Sequence, residues 1–261
     1  MRALVLGIVL IVVSPTLGQQ EKEMTNSIGM KLVLIPSGTF TMSSHREEVG
    51  RKNNDEEVTI SNPYYLGVFE VTQDEFLRVM GNNPSKFKGA RNPVEKVSWD
   101  DAVSFCKKLS ELPEEKAAGR EYRLPTEVEW EYAYRAGSKT VYSFGDSLET
   151  LREYAWFNEN SGRMTHPVGE KKSNAWGLYD MLGNVFEWCQ DVYVNQQTDA
   201  GPDLQGPRPG QGASPGPGRV ARGGGWNLVA AYCQSARRST LDPSEGYFIV
   251  GFRIALSPSV K

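Results

Sequence analysis

Glycine and proline punctuate this chain so densely that no long regular element can be drawn through most of it. The 261 residues include 26 glycines and 15 prolines, and each interrupts helical or strand periodicity where it falls. Three segments escape with a helical pattern and a start signal. Thr72 caps residues 73–80, which run into Gly81-Asn82-Asn83-Pro84. Ser98 caps residues 99–111, with Asp101 at the capping-box position and Ala102, Val103, Cys106 and Leu109 on one face. Thr126 and Glu129 form a capping box that opens residues 127–136, and Gly137 stops them. Short strands are predicted at 32–36, 39–42, 64–71 and 248–255. From Phe144 to Arg222 neither period shows, and the whole predicts a single, loop-rich α+β domain.

The first residues read as an export signal. Arg2 precedes an apolar run over 3–13, Ser14 and Pro15 break it, and Thr16-Leu17-Gly18 offers small residues for cleavage. A cleaved signal over 1–18 is expected, leaving 19–261 secreted or periplasmic; a retained anchor is the alternative. No later stretch approaches the roughly 20 apolar residues of a membrane span, so no membrane contact is expected beyond the signal. The formal net charge of −3 and the lack of a basic stripe argue against a nucleic-acid partner. Three cysteines in an exported chain do not make a disulfide-stapled scaffold. Residues 198–218 are rich in glycine, proline and glutamine and read as an exposed insertion loop.

A series of strings, in one order, resembles the signature blocks of the formylglycine-generating (sulfatase-modifying) enzyme family. The first runs from Asn26 to Phe40 and closes Ile35-Pro36-Ser37-Gly38-Thr39-Phe40. Phe69-Glu70-Val71-Thr72, Val97-Ser98-Trp99, Arg123-Leu124-Pro125-Thr126-Glu127 and His166-Pro167-Val168-Gly169 follow. Then come Gly177-Leu178-Tyr179-Asp180, Gly183-Asn184-Val185-Phe186-Glu187-Trp188, Arg222-Gly223-Gly224 and Gly251-Phe252-Arg253. The resemblance covers nearly all of residues 19–261 and implies a C-type lectin-like α+β core with little regular secondary structure. Trp99, Trp130, Trp188 and Phe252 are expected to be buried in it.

The family's oxidases hold Cu(I) between two thiolates that follow a Gly-Gly-Ser turn, a geometry that suits this soft ion. In this chain Gly223-Gly224-Gly225-Trp226-Asn227 resembles that turn. The resemblance then places Leu228 at the first cysteine and Cys233 at the second, with Gly225 at the serine and Phe186 at a tryptophan kept near the site. Leucine ligates no metal, so a two-thiolate copper site is not expected. Cys233 is either a core or disulfide cysteine or a lone reactive thiol. Cys106, on the apolar face of its helix, reads as a small buried hydrophobe, and Cys189 follows Trp188 with no assigned role.

Calcium is the metal the resemblance still implies, held by Asp180, Gly183, Val185 and Glu187. Two carboxylates around a glycine turn, with the carbonyls of Gly183 and Val185, give the all-oxygen set that Ca²⁺ prefers. The other reading is that Glu187 caps a turn or pairs with an arginine. A second calcium site is not expected, because Tyr154 and Trp156 bring no amide or carboxylate to it. The two histidines, His45 and His166, are too few for a three-histidine iron site, and His166 reads as a turn residue. Two functions follow. One is an exported, calcium-stabilised binding or accessory module for a protein, a peptide or a glycan. The other is a formylglycine-generating enzyme acting on exported sulfatases.

Overall fold

The computed structural model describes residues 21–42, 56–193, 218–234 and 237–257. The expected signal over 1–18, His45 and nearly all of the expected loop over 198–218 lie outside them. The strands are β1 (Glu23–Thr25), β2 (Lys31–Ile35), β3 (Gly38–Met42), β4 (Glu56–Ile60), β5 (Tyr64–Gly67) and β6 (Tyr122–Arg123). They continue with β7 (Phe186–Val192), β8 (Arg219–Arg222), β9 (Ser239–Leu241), β10 (Val250–Gly251) and β11 (Ala255–Leu256). The helices are α1 (Gln73–Met80), α2 (Trp99–Ser110), α3 (Pro113–Ala117), α4 (Glu127–Arg135) and α5 (Leu151–Tyr154). Among the described residues no helix is long and apolar enough to cross a membrane.

The three expected helices form for the local reason the sequence gives. Thr72, Ser98 and Thr126 each accept a hydrogen bond from the main chain of the third helical residue. Glu75, Asp101 and Glu129 return it, so two amides at each start are satisfied without tertiary help. Gly81 and Ala136 close α1 and α4 in the left-handed conformation, at φ 81° and 47°. One face assignment is corrected. Val103 is 37 % exposed, and Phe105 takes the inward place with Ala102, Cys106 and Leu109.

Two sheets carry the core. The first has the order β1-β2-β5-β11-β6 and the second β10-β7-β8-β9, while β3 and β4 pair by themselves. The stretch 248–255, expected as one strand, is divided between them. Val250 and Gly251 run parallel to β7, whereas Ala255 and Leu256 lie between β5 and β6. Phe252-Arg253-Ile254 makes the crossing, and all three side chains are fully buried. β7 was not foreseen, because its residues are buried on both faces and show no alternation.

Phe76, Phe105 and Phe252 interlock at centroid distances of 5.3 to 6.3 Å. Trp130 stacks on Tyr134 at 5.7 Å in a second cluster. Each such ring stabilises the fold by roughly 2–3 kcal/mol on burial. Trp130, Trp188 and Phe252 are fully buried as expected, while Trp99 is only half-buried. Its indole N–H donates to the Cys189 carbonyl at 2.8 Å, and the Arg219 guanidinium covers its ring at 3.8 Å.

Candidate functional site

The loop that enters β7 is built on left-handed backbone. Asp180, Gly183 and Asn184 have φ of 52°, 75° and 52°. A side chain at Gly183 would strike the main chain of Trp156, so only glycine fits there. Gly183 N–H donates to the Gly223 carbonyl at 2.9 Å, and Trp226 N–H donates to the Asn184 carbonyl at 2.8 Å. These bonds bring the loop over 180–184 and the glycine turn side by side.

Glu70 holds this loop from behind. One of its oxygens accepts from the Asn184 side-chain amide at 2.8 Å and the other from Val185 N–H at 3.2 Å. Asn184 in turn accepts from His166 N–H at 3.0 Å. Glu70 belonged to a signature block but carried no expected role. Its only sequence signal is a carboxylate between two apolar residues, Phe69 and Val71, where a strand would bury it.

Glu187 pairs with an arginine, as one reading of the sequence allowed. Arg253 donates to it through Nε and Nη2, both at 2.6 Å, and Trp130 Nε1 adds a third bond at 2.7 Å. Arg253 also donates to the carbonyls of Gly67 and Tyr179, at 2.9 and 3.0 Å. Asp180 accepts from Gly169 N–H at 2.7 Å through Oδ2, while its buried Oδ1 has no hydrogen-bond partner. Burial pushes Asp180 up to about 6, against the pull of the Gly169 N–H and Arg253. Glu70 is pushed well above the usual carboxylate range, first by burial and then by the charges of Asp180 and Glu187.

Three buried carboxylates thus lie near one guanidinium, which bonds Glu187 alone among them, and one oxygen of Asp180 is left open. Among the described residues no three His, Cys, Asp or Glu side chains converge to hold a metal. A cation here would therefore rely on main-chain carbonyls as well. The donors are hard oxygens and the local charge is negative, so the residues fit calcium in kind.

The glycine turn covers Cys233. Gly223 and Gly224 have φ of 94° and 83°. A Cβ on Gly224 would come within 3.1 Å of the Cys233 sulfur. Leu228 N–H closes the turn on the Gly225 carbonyl at 3.1 Å, and the half-buried Leu228 side chain packs against both core clusters. Burial raises the Cys233 thiol to about 12, opposed only by the Gly225 main-chain N–H. Cys106 is raised to about 12 and Cys189 is also raised, again by burial. All three thiols are free and buried. Phe186 is 5 % exposed.

His166 sits in a turn. Its ring stacks on Trp156 at 3.8 Å and its Nε2 lies 2.6 Å from the Ser161 carbonyl. Tyr154 stacks on Phe144 at 4.2 Å, and the Lys171 ammonium lies 3.8 Å over the Trp156 ring. A cavity of about 530 Å³ opens elsewhere, between α2 and β6, and none of the expected site residues lines it.

Residues 16–258 match the family model described as the sulfatase-modifying factor enzyme 1-like domain. The chain is 32 % identical to the chaperone protein LppX of Paenibacillus barcinonensis over 241 residues, 75 % of this chain and 78 % of that protein. It is also 32 % identical to the formylglycine-generating enzyme of Streptomyces coelicolor over 204 residues, 69 % of this chain and 60 % of that enzyme. The solved structure of Treponema denticola variable protein 1 superposes with a TM-score of 0.78 at 31 % identity, covering 92 % of this chain and all of that one. Across the curated relatives it matches first, the chain spans between 39 % and 78 % of their length.

Proposed function

Because the chain belongs to the sulfatase-modifying factor enzyme 1-like family, we propose that it uses the formylglycine-generating-enzyme scaffold as an exported binding or accessory module, without two-thiolate copper chemistry. The observation that carries this reading is Leu228 on the glycine turn, where the resemblance places the first thiolate. Cys233 beneath that turn is buried, and its thiol is held in the protonated form by the raised pKa of about 12. A nucleophile or soft-metal ligand needs the thiolate. The chemistry of Cys233 therefore favours packing over catalysis. Similarity to a protein named as a chaperone supports an accessory role.

Calcium belongs to this reading as a structural ion. Asp180, through its open Oδ1, and the carbonyls of Gly183 and Val185 would hold it, and Glu187, the fourth expected ligand, would have to share its oxygens with Arg253 and Trp130. Glu70 orients the loop by accepting from Asn184 and Val185. Arg253 fixes Glu187 and offsets part of the negative charge.

The test is chemical. The protein is incubated with a cysteine-containing sulfatase peptide, copper and reductant, and the peptide is weighed by mass spectrometry. No aldehyde is expected, and Leu228→Cys is expected to gain copper binding. Formylglycine made by the wild-type protein would install the enzyme reading instead.

A further inference from the structure

We propose that the loop over residues 82–96, with the aromatic side chains against it, is a docking face for an acidic peptide segment of a partner protein that carries one apolar anchor. This rests on the binding-module reading above and gives that module its partner chemistry.

The centre of the face is aromatic. Phe87 meets Trp226 edge-on at 5.2 Å, and Trp226 meets Phe248 at 6.0 Å. Trp226 is buried, but Phe248 is 42 % exposed, so the cluster presents an apolar edge to solvent. The Ser161 hydroxyl donates to the Trp226 carbonyl, and the Asn92 side chain donates to Thr165. These bonds place the segment bearing Met164, 47 % exposed, beside the same loop.

The rim is cationic. Lys86, Lys88, Arg91 and Lys96 are all exposed. None of them enters a salt bridge among the described residues. Lys88 and Arg91 donate only to the carbonyls of Asn83 and Val168. The Lys86 ammonium lies 4.9 Å over the Phe248 ring and 5.2 Å over the Phe87 ring, which aligns charge with the apolar edge. The one acid in the loop, Glu95, is fully buried and accepts from Phe87 N–H at 2.8 Å. It anchors the loop from within, and of the four rim cations its charge reaches Lys96 and Lys88 without forming a salt bridge to either.

Four unpaired cations in one loop of a chain whose formal net charge is −3 are a local concentration of the sign that steers an acidic partner. An aromatic edge within that rim supplies the desolvated anchor point that interfaces use. A sulfated glycan would meet the same cations but would bring no apolar group to Phe248, and for that reason a peptide fits better.

The test uses the protein as it stands. A cysteine-free random-peptide library is selected against wild type, and the recovered peptides are measured by fluorescence anisotropy. Enrichment of Asp or Glu around one aromatic or long aliphatic residue is expected. Affinity is expected to fall at least roughly tenfold in Lys86→Glu/Lys88→Glu and in Phe248→Ala, and to weaken with salt. The lysines are exposed, so the charge-reversed variant should melt like wild type. Peptides without acidic enrichment, or peptides indifferent to both variants, overturn the proposal. So does preference for a sulfated oligosaccharide or for anionic phosphatidylserine vesicles. Peptide binding and formylglycine production are separate readouts, so this proposal and the functional reading can fail independently.

Discussion

Arg253 grips Glu187 with two prongs, Nε to Oε2 and Nη2 to Oε1, each 2.6 Å long and wholly shielded from water. Arg253 sits where the chain crosses from one sheet to the other, so this pair ties both sheets together. Removing one partner of a buried pair strands the other charge at a cost of about 3–5 kcal/mol. Arg253→Met is expected to lower stability by that amount in denaturant titration, and Arg253→Lys by nearly as much, because lysine cannot reproduce the fork. A loss below about 1 kcal/mol would show that the pair is not the tie between the sheets.

Gly224 is expected to tolerate no side chain. Its φ of 83° disfavours any L-residue by about 1–2 kcal/mol, and a Cβ would crowd the Cys233 sulfur. Gly224→Ala should destabilise the protein, and Cys233→Ala in the same chain should recover part of the loss. Equal effects of Gly224→Ala in both backgrounds would mean that the sulfur does not support the turn.

The three thiols should resist reagents. At pH 8 the native protein is expected to react negligibly with Ellman's reagent, because each thiol is buried and raised. All three should react at once in denaturant. Rapid labelling of Cys233 in the native state would revive its reading as a reactive thiol.

In chelator, stability should fall as pH rises from about 4 to about 6. Asp180 titrates near 6 when folded against 3.8 as its ordinary value. Between those values the folded state holds the proton and the unfolded state has released it. The contribution is therefore full below about 4 and is lost as pH climbs through 6, a change on the order of 3 kcal/mol. Saturating calcium should flatten this part of the profile, and Asp180→Asn should reduce it, leaving the share of Glu70, which burial also raises. A metal-free melting temperature that rises over this window, unchanged by Asp180→Asn, would contradict the assignment.

The sequence made visible what is decided within a few residues. The capping pairs Thr72–Glu75, Ser98–Asp101 and Thr126–Glu129 place three helices to within a residue at each start. The split of 248–255 was hidden, because Arg253 turns inward to meet a carboxylate 66 residues away and carbonyls 74 and 186 residues away. Glu70 was legible as a block member but not as the loop's support, since its partners Asn184 and Val185 lie 114 and 115 residues further on. Val103 and Phe105 exchanged places because helical spacing marks a stripe but not its width.

β11 is two residues long, yet it is the middle neighbour of β5 and β6 in the first sheet. A growing chain therefore carries both flanking strands with unpaired edges until Ala255 and Leu256 have been made. The sheet closes only from its latest-made piece, and a polypeptide that stalls short of it stays open to proteases and holdases. Such dependence on distant pairing slows folding. A chain released before this segment is made would leave two edges exposed, so the pairing of Ala255 and Leu256 decides whether the first sheet is whole.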